Sequence, residues 1–403
     1  MGQIHTLIGI DAVVQTPMSE HYPEFLDESR VDAVSGFHRS MEGYAPTPLV
    51  FLDAMAQKLG LGKILVKDES HRFGLNAFKA LGASYAMARF IEDRLELTLG
   101  KSGFRRFSEP QIRRQIEDIT FVTATDGNHG RAVAWAASKI GCRSVVLMPK
   151  GSSRARLAAI ADEGAQAAIT AFNYDDTVRH AAEMARVRGW VLLQDTAWPG
   201  YTRIPTWITQ GYTTLVTEAL DQMDKAGAGR PTHVFVQAGV GSFASAVVGF
   251  LANRFKGRRP KMVVVEPERA ACFFRSATVG DGRPHGVTGD LDTIMAGLAC
   301  GEPSMVAWEI LRDLADAFVS CPGAVSETGL RLLAEPLGRD SPVVSGESGS
   351  VGMGLLHDIM TRRELETLRA ALALDEGSVV LLFSTEGDTD PESYQRILAR
   401  RGI

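Results

Sequence analysis

The chain has 403 residues, of which 45% are hydrophobic and 23% charged, and carries a net charge of −5. That composition excludes disordered and fibrous classes, and the length suits roughly two or three domains. A pI near 6.0 and the lack of any apolar run of bilayer length argue against nucleic-acid and membrane partners.

At the start of the chain, MGQIHTLIGIDAVV lacks a basic region followed by a long apolar core, so no secretory signal is expected. The four cysteines, Cys142, Cys272, Cys300 and Cys321, are not at metal-ligand or redox spacing. They read as free thiols of a reducing compartment, so the expected location is cytoplasmic and no metal site is expected. Apolar β-rich runs recur at KILVK (63–67), ITFVTA (119–124), RSVVLM (143–148), QAAIT (166–170), WVLLQ (190–194), HVFVQA (233–238), KMVVVE (261–266) and SVVLLF (378–383). Helical stretches such as HGRAVAWAASKI and DTVRHAAEMARVR lie between them, and this alternation predicts an α/β fold of parallel sheets covered by helices. Segment 98–118 is charged and is expected to be an exposed excursion. DTAWPGYTRIP (195–205) is rich in turn residues and is expected to be a linker.

LNAFKALGASYAMARF (75–90) is helical in pattern, with one lysine, Lys79, in its first turn. Asn76 is placed as the N-cap, which makes Lys79 the third helical residue. The positive end of a helix and the apolar neighbours Phe78 and Leu81 both favour the neutral amine, and a neutral lysine is a nucleophile that forms Schiff bases. Taken alone, such a lysine is more often solvated along its stem.

Two loops add to it. TATDGNHGRAVAWAA (123–137) runs from a strand end through glycines into a helix, and Asp126, Asn128 and His129 cluster where open α/β sheets place ligands. Helix capping by Asp126 and Asn128 is the competing reading. VFVQAGVGSFASAVVGF (234–250) fits a dinucleotide fingerprint, with Gly239, Gly241 and Ala244 followed by Glu266 at the end of the next strand. It equally fits a phosphate cup made by the amides of Gly239, Val240, Gly241 and Ser242 at a helix start. A nicotinamide-dependent oxidoreductase is therefore a competitor, because the pattern alone does not separate a pyrophosphate from a monophosphate.

In order, TPL (47–49), VKDES (66–70), AFKALGA (77–83), GNHG (127–130), AGVGS (238–242), GESG (346–349) and STEGDTD (384–390) resemble the motifs of the tryptophan synthase β and threonine dehydratase group, fold type II of the pyridoxal-phosphate enzymes. ATDGNHGRAVAWAA, QDTAWPGY (194–201) and IMAGLACGEPS (294–304) are more similar to the diaminopropionate ammonia-lyase family within that group. The dehydratases place a serine where this chain has Asp126.

The resemblance implies two mostly parallel α/β domains: a large cofactor-binding one of 1–87 and 206–403, and a small mobile one of 88–205, with pyridoxal 5′-phosphate in the cleft between them. Lys79 would be the Schiff-base lysine and take the α-proton. Asp126 and Asp195 would sit at the site and favour the protonated β-nitrogen that must leave as ammonia. Asn128 would meet the cofactor's 3′-oxygen, residues 239 to 242 its phosphate, and Ser384 or the adjacent Thr385 its pyridine nitrogen. Glu347 would lie near the cofactor or serve only as an ion pair or turn residue. The amides of Thr125, Asp126, Gly127, Asn128 and His129 would receive the substrate carboxylate, with His129 itself structural and Cys300 an inert thiol. The implied activity is α,β-elimination of ammonia from the amino acid 2,3-diaminopropionate by a homodimer. A serine or threonine dehydratase and a non-catalytic pyridoxal-phosphate or dinucleotide binder are the alternatives.

Overall fold

The structure is a computed structural model and describes residues 3–7, 9–17, 22–125 and 127–400. Its strands are β1 (Gln3–Leu7), β2 (Ile10–Val14), β3 (Leu49–Phe51), β4 (Lys63–Asp68), β5 (Thr120–Ala124), β6 (Arg143–Met148), β7 (Gln166–Ile169), β8 (Val191–Leu192), β9 (His233–Gln237), β10 (Lys261–Pro267), β11 (Ala317–Cys321) and β12 (Val379–Ser384). The chain divides into two compact units: Met1–Glu28, Pro46–Ala77 and Leu215–Ile403 form the first, and Ser29–Ala45 with Phe78–Thr214 the second.

The first unit holds an 8-stranded sheet in the order β1-β2-β11-β10-β9-β12-β4-β3. Its interior pairs are parallel, and antiparallel pairing occurs at β1–β2, β2–β11 and β3–β4. The second unit holds a parallel 4-stranded sheet, β7-β6-β5-β8. Every run expected from the sequence is a strand, although WVLLQ is reduced to Val191–Leu192. The central strands β9 and β5 are buried throughout, as strands covered on both faces must be.

The division differs from the expected 87/88 and 205/206 positions, which fall inside the helices Ala80–Leu95 and Arg203–Lys225. The first of these helices lies wholly in the second unit. There it crosses the beginning of Arg203–Lys225 with backbone against backbone. A Cβ on Gly211 would stand 2.5 Å from Leu81 O and 2.7 Å from Gly82 Cα, and one on Gly82 would stand 2.6 Å from the Tyr212 ring. Buried His38 fixes the same turn: its Nε2 donates to Leu81 O at 3.0 Å, which leaves Nδ1 to accept from Thr214 Oγ1 at 2.7 Å.

The expected linker 195–205 is folded instead. Tyr201 is the physical reason. Its hydroxyl donates to Leu192 O and accepts from Gln194 N, both at 2.9 Å, and its ring stacks on Trp198 at 4.5 Å between centroids. The excursion 98–118 likewise has an inward face, with Phe107, Ile112 and Ile116 buried beneath its arginines.

In the first unit a group of buried charges ties β4 to the long helix. Glu218 accepts from Lys67 Nζ at 2.7 Å and from both Arg72 Nη atoms at 2.9 and 2.8 Å, while Glu69 accepts from Arg72 Nε and Nη2 at 2.9 and 2.8 Å. Thr47 closes the group, its hydroxyl donating to Glu69 at 2.6 Å and its carbonyl accepting from Lys67 Nζ at 2.7 Å.

Candidate active site

The lysine helix begins at Ala80, with Lys79 at its N-cap position. Asn76 is not the cap. It adopts a left-handed conformation (φ 57°), and its side chain donates to Asp388 while its carbonyl accepts from Gly387 N. The chain therefore turns through Asn76 and enters the helix three residues later than the pattern suggested. Lys79 has no side-chain capping duty, so its amine is directed elsewhere.

That amine meets Asp195. Lys79 Nζ lies 2.7 Å from Asp195 Oδ2, with the two side chains 21% and 7% exposed. Burial by itself would raise the Asp195 carboxyl, but the adjacent Lys79 ammonium, and then His129, hold it well below the usual carboxylate range. His129 packs beneath the pair. Its Nε2 donates to Leu193 O at 2.9 Å, so in the neutral ring Nδ1 carries the lone pair and faces Asp195 Oδ2 at 3.7 Å. Burial lowers the imidazole below its ordinary value against the pull of the Asp195 carboxylate. The second unit thus brings Lys79, His129 and Asp195 together.

Asp126 lies outside the described residues. On either side of it, Thr125 follows β5 and Gly127 precedes the helix Asn128–Ile140 as an N-cap without a side-chain cap. One amide of this turn differs from expectation: the Gly127 N–H is taken by Thr125 Oγ1 at 3.2 Å. Asn128 is the first residue of that helix rather than its cap.

The first unit holds the other expected groups. Gly239, Val240 and Gly241 join β9 to the helix Ser242–Phe255, whose start also has no side-chain cap. Their N–H groups donate to nothing among the described residues. The loop is closely backed. A Cβ on Gly239 would stand 3.2 Å from Cys300 Sγ and from Gly297 O, and Gly241 (φ +93°) would place one 2.2 Å from the Phe273 ring. Unspent amides at an uncapped helix start, with no carboxylate among them, suit a phosphate.

Glu266, the acid of the competing dinucleotide fingerprint, cannot serve a ribose. It is fully buried and accepts from Phe273 N at 2.8 Å and Phe274 N at 2.7 Å. Burial pushes its carboxyl up to about 8 against the pull of those amides. Its spacing matched the fingerprint, but its burial removes it.

At the end of β12, next to β9 in the sheet, Ser384 Oγ donates its one proton to Ser345 Oγ at 2.8 Å, with Glu386 O a longer alternative at 3.3 Å. Thr385 Oγ1 accepts from Gln237 Nε2 at 2.9 Å, and its own proton has no acceptor among the described residues. Glu347 accepts from Ser393 Oγ at 2.5 Å, which ties the start of its helix to the last helix of the chain. Sequence reasoning missed Gln237, which was read only as the end of a strand, and Gln194, which anchors the backbone just before Asp195.

A family model described as pyridoxal-phosphate dependent enzyme matches residues 41–385. The chain is 50% identical over 366 residues to the diaminopropionate ammonia-lyase of Salmonella typhimurium, covering 91% of each. It is 47% identical over 372 residues to that of Escherichia coli, covering 92% of each. Crystal structures of the Escherichia coli diaminopropionate ammonia lyase, one in complex with D-serine and one with an aminoacrylate–PLP azomethine reaction intermediate, superpose with TM-scores of 0.90 and 0.89 at 44% identity, each over 98% of both chains.

Proposed function

The chain belongs to the family of pyridoxal-phosphate dependent enzymes, and from that premise we propose that it is a carbon–nitrogen lyase that eliminates ammonia from 2,3-diaminopropionate, leaving pyruvate and a second ammonia. The observation that carries this reading is the buried, ionised Asp195 paired with Lys79. When bound, pyridoxal phosphate supplies an electron sink for the charge that develops at the substrate Cα. Lys79 would hold it through an imine, the amides of residues 239 to 242 its phosphate and Asn128 its 3′-oxygen. Thr385, rather than Ser384, would give a proton to its ring nitrogen, because the Ser384 proton is already engaged.

Once the Lys79 nitrogen is in use, Asp195 loses its cation and becomes a charge partner for the β-ammonium. That matters because amide anion is far too basic to leave. Keeping the β-nitrogen protonated lets it depart as ammonia. The helix start at Asn128 receives the substrate carboxylate. Lys79 would take the α-proton of the L-isomer, the one presented on its own side of the substrate Cα. Asp126, two residues before the helix Asn128–Ile140 in sequence, would take it from the opposite side for the D-isomer. The same reading makes the enzyme a cytoplasmic homodimer. The family resemblance supports the dimer, and among the described residues no helix is long and apolar enough to cross a membrane.

The test is pyruvate formation from each pure enantiomer of diaminopropionate, with serine and threonine as controls. Asp126→Asn is expected to lose D-isomer turnover by ~10²–10⁴, the usual cost of a general base, with a smaller loss for the L-isomer. Asp195→Asn should lower both more evenly. Equal fractional losses in the Asp126 variant would make that residue one of recognition only. Turnover of serine without turnover of diaminopropionate would make the chain a dehydratase.

The phosphate cup has its own test. Gly241→Val must adopt a left-handed conformation at a cost of ~1–2 kcal/mol and displace the Phe273 ring. Binding of pyridoxal phosphate to the apoenzyme, followed by absorbance, is expected to weaken about tenfold or more. Unchanged affinity would remove the cup from cofactor binding.

A further inference from the structure

β8 is two residues long, and its parallel pairing with β5 ends where Leu193 N donates to Val122 O at 2.8 Å. β5 runs on to Ala124. Its next rung is made by a side chain. Gln194, 1% exposed, accepts from Ala124 N through Oε1 at 3.2 Å and donates to Ala124 O through Nε2 at 3.1 Å. The primary amide thus takes the place of the peptide that a longer β8 would have offered.

The amide is used to capacity. Oε1 also accepts from Thr123 Oγ1 at 2.9 Å, and Nε2 also donates to Tyr174 OH at 3.2 Å. The Gln194 backbone N–H is held separately by Tyr201 OH at 2.9 Å. Side chain and main chain are therefore clamped by different partners, which leaves Asp195, the next residue, little freedom to follow or leave the strand direction.

Both ends of this rung lead into the chemistry. Ala124 is followed by Thr125 and leads in sequence to the helix that begins at Asn128, while Gln194 is followed by the aspartate paired with Lys79. A single buried amide is the cross-link at the root of both segments.

We propose that Gln194 is a positioning residue of the reaction, its amide acting as a surrogate strand rung that sets Asp195 in register with the 125–128 loop. This rests on the ammonia-lyase reading above. The segments carry groups assigned to opposite faces of the substrate, so a change of register displaces them unequally. A misplacement of about an ångström costs on the order of 10² in rate.

Gln194→Glu preserves shape but sets a carboxylate oxygen against Ala124 O, and Gln194→Met preserves length without hydrogen bonds. Tyr174→Phe removes only the partner at the partly buried end. All three are measured with bound pyridoxal phosphate, for kcat and KM on D- and L-diaminopropionate. In the two Gln194 variants kcat is expected to fall about 10²-fold with KM within about threefold. The D:L ratio of kcat should move about tenfold or more, and in the same direction by a smaller factor in Tyr174→Phe. Loss of folded protein lowers both enantiomers equally and leaves that ratio unmoved, so an unchanged D:L ratio in all three variants overturns the proposal. A wild-type enzyme that forms no pyruvate from either enantiomer would instead refute the ammonia-lyase reading.

Discussion

Lys79→Ala is expected to lose ammonia release by at least ~10³, because a general base alone contributes ~10²–10⁴ and the same residue holds the cofactor covalently. The loss should fall on kcat for both enantiomers, whereas the Asp126 variant discriminates between them. The variant also leaves the Asp195 carboxylate without its ammonium partner at 2.7 Å. That carboxyl should rise toward its ordinary range, so the variant should be less stable near neutral pH as well as inactive. In the wild type, borohydride reduction of the yellow holoenzyme followed by peptide mapping should place the label on Lys79. Label on another lysine, or turnover by Lys79→Ala within tenfold of wild type, would refute the assignment.

The largest effect on stability is expected at Glu218, far from the reacting atoms. Lys67, Glu69 and Arg72 are at most 1% exposed, and Glu218 holds both cations. Glu218→Gln leaves two buried cations facing Glu69 alone, and breaking a buried ionic group in this way costs about 3–5 kcal/mol. Burial alone would raise the Glu218 carboxyl, yet Arg72 and Lys67 outweigh it and hold it at about 2. Burial also lowers Lys67 in spite of its two carboxylates, but its Nζ donates to Thr47 O, Glu218 and Gln222, which is the pattern of the charged form. The folded carboxyl lies below its ordinary value of 4.5. The stability that Glu218 contributes is therefore present above that pH and is lost as pH falls toward 2. Urea unfolding at neutral pH and at pH ~3 should show the variant's deficit shrinking in acid. A deficit under about 1 kcal/mol at neutral pH would reduce the group to ordinary surface pairs.

How far the site was legible depended on what each feature requires of residue type. A loop position whose Cβ would strike Phe273 or Cys300 must be glycine, so Gly239 and Gly241 were visible as residues, and Lys79 stood out as a lone cation in an apolar helical turn. The parallel strands were visible because burial on both faces demands unbroken apolar runs. β1, β2 and β3 pair antiparallel in or toward the margins of the sheet, and β3 is three residues long and only partly buried. β11 was missed because AFVSC carries too few β-branched residues to stand out. Partners distant in sequence were not visible at all. Nothing in VKDES announces Glu218, 151 positions from Lys67. Asn76 misled because an asparagine suits a left-handed turn as well as a cap, and only the carbonyl–Gly387 contact tells which was chosen.

The contact between Gly82 and Gly211 makes the placement of Lys79 a backbone matter. The helices meet there at bare backbone, with the Tyr212 ring and Ile208 already filling the space beside Gly82, so the spacing leaves no room for a methyl on either glycine. Substitutions elsewhere around the lysine helix change how firmly it is held, while a single methyl at either glycine tilts the helix and takes the amine with it. Laboratory evolution toward other amino-acid substrates should therefore leave these two positions untouched and accumulate its changes away from this helix crossing.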